Sequence, residues 1–389
     1  MAEYKKQHYV PKLYLRNFTV DGRFLSVYNI LKRSLHSRVP YDTQCYKDYY
    51  YGKDKIWETR LSTLEAEWAI VFQKILAEET LSNNDINLVR EFALYQLQRT
   101  VAANEHLLRQ REEVICEFGR ILYNREGMDF DSATEEICKE RAKHACSPAE
   151  SLAFSEKSLP FVHDLELAII KYNTVQDLIT SDAPVIAINP FHHPSIGYNC
   201  MGLILLFPIS NKKLVVLYDA KMYPKNRGGL YIENSDEGEV ANLNALQFIS
   251  ADKILLSMSD RSFIEIPNNV WEAREKNKAL NTATALGSED NRIVALTPRR
   301  VFYRCDFSFG AVCHRFKRIP FVCKEAPPRY WDSAWDKKLE MKAQFFGNII
   351  ELTPGLSSQY GLTKKEIRRG CQRMANAAKY YWMQNQIID

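Results

Sequence analysis

The sequence predicts an α+β fold, and three observations carry that prediction. Apolar residues recur at spacings of three and four between Ile56 and Glu79 and again from Leu88, the mark of amphipathic helices. Four short apolar runs follow between Leu165 and Tyr218, joined by connections mostly too short for crossover helices. Helix formers then fill Thr363 to Gln386. The expected architecture is an N-terminal hairpin and long helices packed with a mainly antiparallel sheet, with a helical C-terminal extension.

Taken in order, Arg23-Phe-Leu-Ser-Val-Tyr-Asn29 follows an Asp21-Gly22 turn signal and reads as a first strand or hairpin. Tyr46-Lys-Asp-Tyr-Tyr-Tyr-Gly52 is too polar and aromatic for a central strand and reads as an irregular connection. Trp57, Leu61, Leu64, Trp68, Val71 and Ile75 make one helix face. A second helix is expected from about Asn84 to Gly119, opened by Ser82-Asn-Asn-Asp85 and faced by Leu88, Phe92, Tyr95 and Arg99. Glu126 to Glu150 reads as a helical hairpin or surface excursion. The runs 165–172, 185–188, 203–207 and 214–218 are expected as strands of one sheet, 241–251 as helix and 253–257 as a further strand. Past residue 290, 301–304 and 316–323 suggest two more strands before the basic tail helix. These readings divide the chain into an α+β domain over 1–290, helical at about 55–150 and sheet-rich at about 160–290, and an extension over 291–389.

Composition narrows the class. The chain has 389 residues, 46% hydrophobic and 26% charged, which is ordinary for a globular protein and excludes wholesale disorder. Lys and Arg exceed Asp and Glu by 52 to 48, too little for bulk electrostatics to favour nucleic acid, so an anionic partner needs a local patch. The nine cysteines form no Cys-x-x-Cys pair and are odd in number, so neither a disulfide framework nor a structural zinc site follows. The N-terminus has no apolar signal core and no run reaches membrane-spanning length, so no membrane and a cytoplasmic setting are expected. No phosphate-loop, dinucleotide, His-Glu-x-x-His or Gly-x-Ser-x-Gly signature occurs, and the side chains of His192-His193 and Cys313-His314 diverge on regular elements.

The densest polar stretch is Lys6-Gln-His-Tyr-Val-Pro-Lys-Leu-Tyr-Leu-Arg-Asn-Phe18. N-termini are usually loose, so one with this content is expected to dock on the body. Together with Thr180-Ser-Asp-Ala-Pro184, Pro208-Ile-Ser210 and Asn242-Leu-Asn244, it resembles the DUF4238 family, bacterial proteins grouped by a domain of unknown function. The resemblance covers about residues 5–280 and implies a shared fold and a cluster of kept polar positions, with Ala183 standing where the family more usually has an amide.

Those positions supply the chemical candidates. His8 can serve as general acid, general base or metal ligand, or can tie down a buried arm. Arg16 and Asn17 follow at a spacing that brings a guanidinium fork and an amide to the same side as His8, a phosphate or nucleotide cradle unless Arg16 pairs with Glu65 or Asp182. Ser181 and Asp182 lie between strands, where Asp182 can orient His8, bind a divalent cation with other carboxylates, or simply make a turn. Arg99 on an apolar helix face demands an acid, and Glu65 is the nearest in kind. Asn242, Asn244 and Gln247 can read a base-like ligand or cap a helix. The expectation is a nucleic-acid- or nucleotide-processing enzyme of phosphodiester-cleaving type, with His8, Asp182 and Asn17 reacting and Arg16, Arg99, Ser181 and Asn244 holding substrate. The metal requirement is undetermined, a protein partner is expected at the C-terminal helix, and a role in bacterial defence is compatible. The alternative is a non-catalytic binding protein in which the same polar groups are architectural.

Overall fold

The computed structural model describes residues 5–301, apart from 145–146, 189–197, 199–201, 221–222, 224–228, 264–265, 281–283, 287–292 and 296–300. The strand expected at 316–323, all but Val301 of the one at 301–304, and the helix expected at 363–386 lie outside the described residues.

The N-terminal module begins with β1 (Lys6–His8), a short turn of helix α1 (Lys12–Leu15) and a 3₁₀ turn at Arg16–Phe18. The hairpin β2 (Phe24–Asn29) and β3 (Ser34–Pro40) follows, then β4 (Tyr46–Asp48). β4 pairs antiparallel with β1, His8 opposite Tyr46. The connection expected at 46–52 therefore contains a strand. The pairing uses backbone groups, which its polar side chains do not announce.

Helix α2 (Ile56–Leu76) runs as its spacing predicts. The second long helix is two: α3 (Asn83–Gln98) and α4 (Val101–Arg125). Ser82 and Asp85 form a reciprocal capping box at the start of α3. Arg99 ends it, and Thr100 accepts the Ala103 N–H at 3.1 Å, opening α4 as a new helix. Helices α5 (Ser132–His144) and α6 (Pro148–Ser158) make the expected excursion, with α5 packed along α4.

The runs read as four strands of one sheet are β5 (Glu166–Tyr172), β7 (Ile186–Ile188), β8 (Ile204–Pro208) and β9 (Lys213–Tyr218). They are joined by β10 (Tyr231–Asn234) in the order β10-β5-β9-β8-β7, antiparallel except for the parallel β10–β5 pair. Side chains alternate between two cores: Leu167, Ile169, Leu205, Phe207, Val215 and Leu217 face the aromatic layer of Trp68, Phe72 and Phe92 from α2 and α3. Ala168, Ile170, Leu206, Val216 and Tyr218 face the opposite way, onto Leu243, Leu246 and Phe248 of α7 (Glu237–Ser250). Burial of both faces is why these strands read as unbroken apolar runs.

A second sheet, β3-β2-β11-β6, joins the N-terminal hairpin to the far half of the chain through β11 (Ile254–Ser257) and β6 (Thr180–Ser181). Helix α8 (Asn268–Leu280) packs on α7. The architecture is thus α+β with mostly antiparallel sheets.

Candidate functional site

β1 seats the arm through the buried Gln7, whose Nε2 donates to Gly52 O at 3.0 Å while its Oε1 accepts from Tyr51 N at 2.6 Å. Alternation along β1 turns its next side chain, His8, the other way. His8 Nε2 lies 3.1 Å from Asp42 O. A carbonyl only accepts, so Nε2 carries the proton and Nδ1 keeps its lone pair. Burial, then Lys12 and Arg99, lower the imidazole to about 4 against the Asp42 carbonyl, leaving it neutral at neutral pH.

Arg99 is 1% exposed at the break between α3 and α4. Its Nη2 donates to His8 O at 2.6 Å and to Glu65 Oε1 at 2.9 Å, and its Nε donates to Tyr51 Oη at 3.2 Å. The acid that Arg99 demands is therefore Glu65. Burial opposes the guanidinium charge, yet Tyr51 and Glu65 outweigh it and hold the group above its ordinary range. Glu58, a half-buried acid on α2, is raised by burial and then by Glu65. The Nη1 of Arg99 and the Nδ2 of Asn17 are buried with no hydrogen-bond partner among the described residues. Arg16 is exposed beside Gly22 and pairs with neither Glu65 nor Asp182 in the contacts described.

The second group is enclosed. Asp182 Oδ1 accepts from Asp252 N at 2.7 Å, and Oδ2 accepts from Lys253 N at 2.7 Å and Ile254 N at 3.2 Å. Burial and then Asp252 raise its carboxyl to about 6 against those three donors. Ser181 Oγ donates to Gln247 Oε1 at 2.9 Å and accepts from Ala183 N at 3.1 Å. Asn244 accepts from Ile179 N at 3.0 Å and donates to Asp177 O at 2.9 Å. These bonds fasten α7 to the segment around β6. Asn242 lies within α7 rather than at its start, and the cap is Asp236, whose side chain accepts the Glu239 N–H.

The profile of the family described as "Protein of unknown function (DUF4238)" matches residues 6–261. The chain belongs to the DUF4238 family. No curated protein and no solved structure matches it. The DUF4238 span is shorter than the resemblance suggested: it opens on the first residue of β1 and ends in the 3₁₀ turn after β11.

Within the DUF4238 span three of the four motif segments meet at one buried hydroxyl. Tyr14 Oη donates to Pro208 O at 2.6 Å and lies 2.7 Å from Thr180 Oγ1, linking the N-terminal motif to the two later ones. His8 and Arg99 meet across the His8 carbonyl, whereas Asp182 and Ser181 belong to the α7 network. Tyr9 borders the second group, its hydroxyl raised by burial and then by Cys45 and Asp182. Sequence reading missed Tyr51 and Glu58 in the first group, and nothing in their spacing marks them, since they meet Arg99 only in the folded chain. It also missed Arg274, which donates to the Phe248 carbonyl in the last turn of α7 and to the Ala251 and Asp252 carbonyls just beyond it. Among the described residues no group of three or more His, Cys, Asp or Glu is arranged to hold a metal ion, and no helix is long and apolar enough to cross a membrane. His192, His193, Cys313 and His314 lie outside the described residues.

Proposed function

We propose that this chain is a nucleic-acid- or nucleotide-processing enzyme of phosphodiester-cleaving type, with its chemistry at His8, Arg99, Glu58 and Glu65. The observation that carries the reading is a neutral His8, its Nδ1 lone pair free of a proton, beside a charged Arg99 whose buried Nη1 has no partner among the described residues. A neutral imidazole nitrogen can take a proton from water or a hydroxyl. A guanidinium stabilises charge growing on phosphoryl oxygens, and Glu58, raised by burial and by Glu65, can return a proton to a leaving oxygen. Asn17 and Arg16 supply substrate contacts in this reading, and Asp182, Ser181 and Asn244 hold the fold around it.

One set of observations favours a second reading, a non-catalytic binding or interaction protein. Both oxygens of Asp182, the Ser181 hydroxyl and the Asn244 amide are engaged internally, and Arg99 is ion-paired. The two readings separate on incubation of the purified chain with pooled RNA, DNA and nucleotides, with and without Mg²⁺ or Mn²⁺. Turnover that is lost in a His8→Ala variant melting like the parent supports the enzyme and settles its metal requirement. No turnover from the parent leaves the binding protein. A cytoplasmic effector role in bacterial defence fits either reading, and phage plating efficiency with and without the protein tests it. A protein partner at the C-terminal basic segment is tested by co-purification with and without residues 363–389.

A further inference from the structure

Positive charge gathers in two parts of this chain, residues 5–55 and residues 291–389, the latter with eighteen Lys and Arg against eight Asp and Glu. Residues 5–55 hold eleven Lys and Arg against four Asp and Glu, a net +7, whereas the whole chain carries +4. All eleven of those cations are exposed.

Among them, two groups held over aromatic rings mark the exposed surface of the N-terminal module. Lys6 lies over the Tyr46 ring at 4.7 Å and Lys47 over Tyr50 at 5.6 Å, on the paired strands β1 and β4. Arg23 and Arg38 flank the Phe24 ring at 5.0 and 4.7 Å at the base of the β2–β3 hairpin. The two groups are joined by the turn at Tyr41–Thr43, where Tyr41 N donates to Arg23 O at 3.2 Å and Asp42 O accepts from His8. His8 therefore sits between them, with Lys12 close enough to depress its titration.

We propose that this surface is a track for the phosphate backbone of nucleic acid, leading the strand across His8. The inference rests on the nucleic-acid reading above and names the partner's recognised part. Cations held over aromatic rings stay fixed without losing charge, which suits a regularly spaced polyanion. The same cations cover the ring faces that would otherwise stack on bases, so recognition is of backbone and independent of sequence. An anionic membrane is the lesser fit, because surface-binding segments carry their charge on an amphipathic helix, and the module's helical elements are turns of three or four residues.

The test is fluorescence anisotropy of the full chain with labelled oligonucleotides of about twenty nucleotides, two unrelated sequences, single-stranded and duplex, between about 50 and 200 mM KCl. Engagement of six phosphates on duplex gives a log–log salt slope of about −5. Lys6→Glu with Lys47→Glu, and Arg23→Glu with Arg38→Glu, each checked for parent-like melting, should weaken binding at least about tenfold on both sequences and flatten the slope. Arg109→Glu with Lys157→Glu, an equal charge change at exposed sites on α4 and α6, should stay within about twofold. The proposal is overturned if the parent does not bind at the lowest salt, if the control pair weakens binding as much, or if the chain binds phosphatidylserine vesicles and no oligonucleotide. Turnover is scored on the same samples. Bound but intact oligonucleotide sustains the track and removes the enzyme, whereas cleavage indifferent to the reversals does the opposite.

Discussion

Replacing Tyr14 by Phe deletes one oxygen atom from a wholly buried position and probes how the motif segments are joined. The Tyr14 hydroxyl has one proton, and the Pro208 carbonyl at 2.6 Å can only accept, so that proton goes to Pro208. Thr180 Oγ1, 2.7 Å away, must then donate to Tyr14. Tyr14→Phe leaves a buried carbonyl and a buried hydroxyl without that partner, each costing about 1–3 kcal/mol, and the hydroxyl can turn to recover part of its share. The expected loss is about 3 kcal/mol by urea denaturation followed through tryptophan fluorescence. Thr180→Val alone should cost about 1 kcal/mol, and the double variant should cost little more than Tyr14→Phe, a coupling of about 1 kcal/mol. A Tyr14→Phe protein within about 0.5 kcal/mol of the parent, or additive costs in the pair, would refute the reasoning. Loss of turnover with unchanged stability would refute it differently, by assigning the hydroxyl to chemistry.

Histidine NMR should show His8 titrating near pH 4, and a midpoint near 6.5 would show that burial does not depress this imidazole. Because the folded state binds the His8 proton less readily than the unfolded chain, His8 makes stability rise with pH between about 4 and 6.5, and a His8→Asn variant should lose that increment. Asp182 acts with the opposite sign: raised to about 6 from 3.8, it makes stability fall as pH rises across that window, and the fall should vanish in Asp182→Asn. Arg99→Met should cost about 3–5 kcal/mol by stranding Glu65 and the His8 carbonyl, and limited proteolysis should then cut within residues 5–10; a parent-like digest would show that the arm is held without it. Ser82→Ala should cost about 1 kcal/mol in chemical denaturation through loss of the capping box, and no change would mean that the Lys74–Asp85 pair holds the start of α3 alone.

What could be read in the sequence was whatever a side chain's own chemistry dictates locally. The face of α2 follows from its spacing, the strands 165–218 from their apolar runs, and the Arg99–Glu65 pair from the need of a buried guanidinium for an acid. Which strand residues face which core was hidden, because both faces are buried and the runs do not alternate in polarity. The break at Arg99 and Thr100 was hidden because neither residue forbids a helix, and the side chains that hold it come from β1, Tyr51 and α2. In the sequence Asp182 reads as a reacting group or a turn, but its donors lie seventy or more residues further on, at Asp252 to Ile254. The strand β4 was concealed by its polar side chains, since the pairing that defines it is made by the arm's backbone.

The Tyr14 bond also has a meaning in time. Its acceptor on Pro208 lies 194 residues later in the chain. At a synthesis rate of about 5–20 residues per second, the arm leaves the ribosome roughly 10–40 seconds before the oxygen that holds it exists. Through that interval the arm lacks this anchor, and its Lys and Tyr side chains are open to proteases and to any polyanion nearby. That anchor closes only when the sheet's β8 has been made, so the arm cannot become fully native before Pro208 has joined the chain.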